Sequence, residues 1–264
     1  MLPQTTNDMT KGDLDALQVA VKRLECTAFL MKLAGAVGAP IESLVQSLPE
    51  KARNVVQDAT RRTLERCLDI AITSLRKQRR GIRPLDVLHK ASCAASGALG
   101  GFFGVYALPL ELPFSTAIML RSIAEIAQSE GESLGDIDAR LACISVLAFG
   151  ASTKKDDDAE LGYFAVRTTL ATTLPKAADR ALPTALARFL TVIAERFGIT
   201  VSEKVVAEAV PIVGALGGGA VNLVFINHFQ DMAHGHFTVR RLERTYGEQR
   251  VREEYDRVRG GLKS

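Results

Sequence analysis

The segment NHFQDMAHGHF, residues 227–237, holds three of the chain's four histidines within nine residues. An uninterrupted helix would place His228, Asp231 and His236 on one side, with His234 turned away. Imidazole and carboxylate ligands on one face suit a divalent metal, and a bound metal can activate water for hydrolysis. Glu160 is a further candidate ligand. Against this reading, no H-E-x-x-H occurs and Gly235 interrupts the helix where the geometry is needed. The competing reading is a buried polar seam in which these groups pair among themselves, as buried charges must. The acidic run Asp156, Asp157 and Asp158 carries the same two readings, metal cluster or helix cap in a solvated loop.

Other polar residues interrupt apolar company. Glu111 follows a long uncharged run. Arg121 and Glu125 stand four apart and can pair on a helix face. Glu160, Tyr163 and Arg167 share another face, and Asn222 lies inside an apolar stretch. These are the candidate buried polar positions. No G-x-S-x-G occurs, the glycine runs lack the Lys-Ser/Thr of a phosphate loop, and no nucleophile has a base beside it. The expectation is therefore no catalytic residue and no cofactor, with a divalent metal as the alternative.

The elements that must position these groups are helical. Apolar residues recur at helical spacing almost everywhere and no strand alternation is found. An amphipathic helix is expected over 13–33, ended by VGAP, and a second over 50–77, stopped by a basic run and Pro84. The next helical stretch is broken near Pro109 and Pro113 and continues through Arg121 to Gln128. GESLGDIDAR reads as a loop that caps a helix through Leu141 to Phe149. Further helix is interrupted at Pro175 and Pro183, and FGITVSEK leads into the second apolar stretch. The chain closes on one charged, solvent-facing helix, TVRRLERTYGEQRVREEYDRVR. The fold class is all-α: one multi-helix domain over 13–258, with a central pair of glycine-rich apolar helices surrounded by amphipathic ones. Residues 1–12 are expected to be disordered and 259–264 frayed.

Two stretches are almost without charge, ASCAASGALGGFFGVYALPLELPFSTAIML and AVPIVGALGGGAVNLVFIN, and both contain GALGG. Glycine costs a helix in water about 1 kcal/mol relative to alanine, so its use here calls for a reason. Small residues four apart let helices approach closely. Gly97, Gly100, Gly101, Gly104, Gly214, Gly217 and Gly218, with Phe102 and Phe103, are the candidate helix-packing or lipid-facing residues. Each stretch is long enough to span a bilayer. Glu111 within Pro-Leu-Glu-Leu-Pro argues against stable spanning, at on the order of 3 kcal/mol. The net charge is +3, with +5 carried by residues 1–90 and −1 by residues 91–120. The excess is concentrated in Arg76, Lys77, Arg79, Arg80 and Arg83, a run suited to an anionic lipid surface at about 1 kcal/mol per residue, or to a solvated helix end. Nucleic acid is not expected, since interleaved aromatics are lacking. Cys26, Cys67, Cys93 and Cys143 are too scattered for a zinc site or a disulfide framework. They read as buried reduced thiols in a cytoplasmic protein with no signal peptide.

Several long blocks closely resemble the bacterial EcsC protein family: FFGVYALPLELPFSTAIMLRSIAEIAQSEGE, DARLACISVLAFG, DDDAELGYFAVR and GALGGGAVNLVFINHFQDMAHGHFTVRRLERTYG. The resemblance covers about Leu64 to Gly247. The family takes its name from a protein encoded beside an ABC transporter, which implies a membrane-linked context rather than a reaction. A looser similarity to glycine-rich helical senescence domains points the same way. The expected function is a non-catalytic helical protein that associates reversibly with membranes or binds lipid, peripheral to the inner face of the cell membrane. A metal-dependent hydrolase using His228, Asp231 and His236, and an interaction partner of a membrane transporter, are the alternatives.

Overall fold

The computed structural model describes residues 8–25, 29–37, 45–73, 108–149, 151, 162–173, 182–209 and 217–263. Among them lie nine α-helices: α1 (Lys11–Glu25), α2 (Phe29–Val37), α3 (Glu50–Thr73), α4 (Leu108–Ser129), α5 (Ile137–Ser145), α6 (Tyr163–Thr173), α7 (Leu182–Ala209), α8 (Gly217–Tyr246) and α9 (Glu248–Lys263). A 3-10 turn, Val146–Ala148, follows α5, and the described residues contain no strand. The all-α expectation holds. GALGG at 97–101, the basic run 76–83, Glu160 and the acidic run 156–158 lie outside the described residues, as do Cys26 and Cys93.

Helix α8 is the hub. It packs against α1, α2, α4, α7 and α9. Phe225 and Phe229 on α8 meet Phe29 of α2 and Phe197 of α7, with centroids 5.5–6.1 Å apart, in largely edge-to-face pairs that suit aromatic quadrupoles. Helices α4 and α8 run parallel. Ser122 pairs with Gln230, Glu130 with Thr238 and Glu132 with Arg240, each pair 108 residues apart. A constant offset is what parallel helices in one register produce.

Several boundaries differ from those read in the sequence. α1 begins earlier, because Thr10 caps it. The Thr10 hydroxyl accepts from the Asp13 amide at 3.2 Å and donates to the Asp13 carboxylate at 2.8 Å. α4 is not broken at its prolines. Pro109 occupies the first turn, where amides have no intrahelical partner, and Pro113 forfeits one early bond. Burial of Leu108, Leu112, Ser115, Thr116 and Met119 holds the rest. Pro183, read as an interruption, lies in the first turn of α7, and the helix runs on through Gly198, around which Phe197, Thr200 and Val201 are fully buried. Packing outweighs a propensity cost of about 1 kcal/mol.

The charged C-terminal helix is two helices. Gly247 takes φ +88°, and its amide donates to the Glu243 carbonyl at 2.9 Å, an αL cap that only glycine adopts cheaply. Beyond it α9 is not merely solvent-facing: Val251 and Tyr255 are buried, and the helix continues through Gly260 and Gly261 to Lys263. Gly131, at φ +84°, ends α4 in the same manner, with the Gly131 and Glu132 amides donating back to Gln128 and Ala127. Gly235 does not break α8. A Cβ there would lie 2.6 Å from Leu24 Cγ and 3.2 Å from the Ala20 carbonyl, so this glycine lets α1 cross α8 at close range. Among the described residues no helix is long and apolar enough to cross a membrane.

Candidate functional site

Two buried polar centres lie on α7 and α8. The first is built by α7, which carries Glu203, Lys204 and Glu208 on its last turns. Lys204 is 0% exposed; its ammonium meets Glu111 of α4 at 2.5 Å and Glu208 at 3.4 Å, and stands 5.3 Å from the Phe225 ring. Burial works against the Lys204 charge, but Glu208 and Glu111 outweigh it and raise its pKa. Burial raises Glu208 to about 7, Lys204 opposes this, and Glu111 adds to the rise. Burial alone takes Glu203 to about 7, and its Oε2 has no hydrogen-bond partner among the described residues.

This cluster marks one end of the described helical body. Residues 91–110 and 209–230 contain no Asp, Glu, Lys or Arg. Glu111 is the first charge after one uncharged run and Glu208 the last before the other, and Lys204 joins them. Because α4 and α8 run parallel, their first residues, Leu108 and Gly217, lie at this same end. Leu110 (85% exposed) and Phe114 (54%), one turn apart on α4, stand uncovered beside it.

The second centre lies where α6 meets α8. The Tyr163 hydroxyl and His236 Nδ1 are 2.7 Å apart, and Arg167 reaches Glu243 through two parallel bonds of 2.7 Å. Burial pushes the Tyr163 phenol up to about 12 and the His236 imidazole well below its usual value, so both stay neutral through the physiological range. His236 Nε2 has no hydrogen-bond partner among the described residues, and the imidazole ring lies 4.9 Å from the rings of Phe149 and Phe237. Glu25 of α1 caps α6 by accepting from the Tyr163 amide at 3.2 Å, and also accepts from the Tyr255 hydroxyl at 2.7 Å. Tyr163 and His236 are both buried, and their contact joins α6 to α8.

Comparison with known sequences supplies the family. The model of the EcsC protein family matches residues 7–242, most of the chain. The chain belongs to the EcsC protein family. Neither the curated proteins nor the solved structures yield a match.

In this EcsC family member the histidine cluster does not converge. His228 is fully buried between the rings of Phe29 and Phe229, and burial, then Lys32, lowers it to about 3. Asp231 turns to Lys32 at 2.9 Å and Arg23 at 3.8 Å, while His236 turns to Tyr163. At 3.6 residues per turn, Asp231 and His236 point about 140° apart, so even an unbroken helix separates them. Among the described residues no three His, Cys, Asp or Glu side chains are placed to hold a metal. The free thiols described, Cys67 and Cys143, are raised by burial to about 11 and about 12.

Of the expected buried polar positions, Glu125, Tyr163 and Asn222 are buried, and Glu111, with its side chain 7% exposed, and Arg167 are half-buried. Arg121 is a correction: it reaches Glu125 at 3.5 Å from an exposed position, because a helix edge leaves a long guanidinium stem room to reach water. Tyr163 and Arg167 come together as their spacing implies, at 3.5 Å. Gly217 and Gly218 form the first turn of α8; Gly97, Gly100, Gly101, Phe102, Phe103, Gly104 and Gly214 lie outside the described residues. Sequence reasoning missed Glu203, Lys204, Glu208 and Glu243. The signal for Lys204 and Glu208 was present: an i,i+4 pair immediately before an uncharged run.

Proposed function

We propose that this EcsC family protein associates reversibly with membranes or binds lipid and does no chemistry of its own. The two uncharged stretches form the apolar element, and Arg76, Lys77, Arg79, Arg80 and Arg83 orient it on an anionic surface. One observation carries the reading: parallel α4 and α8 bring the edges of both uncharged runs to one end of the helical body, where Leu110 and Phe114 are exposed. Exposed apolar groups beside chain that carries no charge are suited to lipid. A lysine buried between two carboxylates joins those edges, so the body presents both runs from one place.

Flotation with neutral and anionic liposomes, at low and high salt and without detergent, tests this. Flotation with anionic vesicles that weakens at high salt is the expected result. Protein that stays at the bottom of every gradient overturns the reading. The hydrolase alternative draws no support from the described residues, whose His228, Asp231 and His236 serve three separate contacts.

A further inference from the structure

We propose that Glu111, Lys204 and Glu208 form a proton-operated latch between α4 and α7, closed when Glu208 carries a proton and loosened when that proton leaves. The stoichiometry of the cluster is the basis. Two carboxylates, 7% and 6% exposed, share one ammonium that is 0% exposed. With both ionised, the buried site holds one uncompensated negative charge, which is costly away from water. Glu111 has the short contact, 2.5 Å, and Glu208 the long one, 3.4 Å, so the proton belongs on Glu208.

Among the described residues no other charge repairs the imbalance. On α8 the side chain facing Lys204 is Phe225, and that helix carries no Asp, Glu, Lys or Arg before Asp231. Every charged residue of α3 is exposed. Lys32 of α2 is held by Asp231, Arg167 of α6 by Glu243, and on α5 Asp138 is held by Arg240 and Arg140 by the Leu134 and Ala71 carbonyls. Within α4, Arg121 pairs with Glu125; within α7, Arg196 binds the Ala148 and Ala151 carbonyls. Glu203 is the neighbouring buried carboxyl, and burial alone acts on it.

The direction of the pH effect follows. Burial raises Glu208 from 4.5 to about 7. A raised carboxyl stabilises the closed form fully below its unfolded value and loses that stabilisation as pH rises through its folded value. Between those values each pH unit shifts the closed-to-open ratio by about tenfold toward open. The latch is a property of the protein in solution and stands whether or not lipid is bound.

Hydrogen exchange of the full-length protein between about pH 5.5 and about pH 7.5, corrected for intrinsic exchange, tests it. Peptides covering 108–114, on the α4 side of the latch and clear of Glu203, whose own raised carboxyl adds a slope to 203–209, are expected to open about tenfold more per pH unit until about pH 7. Glu208→Gln, which imitates the protonated carboxyl, is expected to abolish that slope, and Glu203→Gln to retain it. A flat wild-type profile overturns the latch. So does a slope that survives in Glu208→Gln or disappears in Glu203→Gln. Wild type and Glu203→Gln decide the matter even if Glu208→Gln prevents folding.

Discussion

Tyr163 and His236 illustrate what a single buried polar pair contributes. Their 2.7 Å contact is the partner each ring needs in a site closed to water. Tyr163→Phe removes one partner and leaves Nδ1 of His236 without one, so it is expected to cost about 1–3 kcal/mol in urea unfolding. No change in the unfolding midpoint would show that the hydroxyl is not needed. His228 is the opposite case, since both ring nitrogens lack a partner among the described residues. Its folded value of about 3 lies below the usual 6.5, so the neutral ring supports folding fully above 6.5 and that support is lost as pH falls toward about 3. His228→Leu carries no such penalty. The stability of the Leu variant relative to wild type is therefore expected to grow as pH falls below about 6.5; a constant difference refutes this. The single residues were largely legible in the sequence: Tyr163, Arg167, Glu111 and Glu125 were all marked by polarity in apolar company. Their partners were not, because Glu243 and Lys204 lie 76 and 93 positions away.

At the scale of the helix, element types were legible along the chain and element ends were less so. Prolines 109 and 113 read as a break, yet α4 passes through both, because its buried side chains outweigh one missing amide. Gly235 read as a break in α8 and is instead a crossing point. Gly235→Ala would force Leu24 aside at 2.6 Å and press on the Ala20 carbonyl at 3.2 Å. Overpacking of that kind costs about 1–3 kcal/mol, more than alanine returns in helix propensity. Thermal unfolding should therefore show a lowered Tm, and a raised one would mean that α1 and α8 separate without loss. The small-residue logic read in GALGG thus operates in α8 at Gly235, where a backbone carbonyl approaches the helix.

Across the whole molecule, parallel α4 and α8 set the end at which the uncharged runs meet the helical body. Leu110 and Phe114 are exposed there, and the membrane reading makes them contact residues. The double variant Leu110→Glu, Phe114→Glu alters side chains with little buried area, so its fold should survive. It is expected to lose co-flotation with anionic vesicles by about tenfold, since charge on such a surface costs on the order of 1–3 kcal/mol. Undiminished flotation by a folded double variant would remove these residues from the contact.

Helical class, the apolar faces and the family were determined by the sequence itself, because periodicity and block similarity are local along the chain. Which buried charges meet between helices was decided by tertiary structure alone. Lys204 could have served any of 30 acidic residues, and only the parallel register of α4 and α8, with α7 beside them, brings Glu111 to it. The same holds for the histidines. Their spacing made a metal site conceivable, but the neighbours supplied by α1, α2 and α6 gave each residue a different role. Short-range order follows from residue type; the pairing of distant charges follows from which helices pack, and that is settled by burial of the whole apolar surface at once.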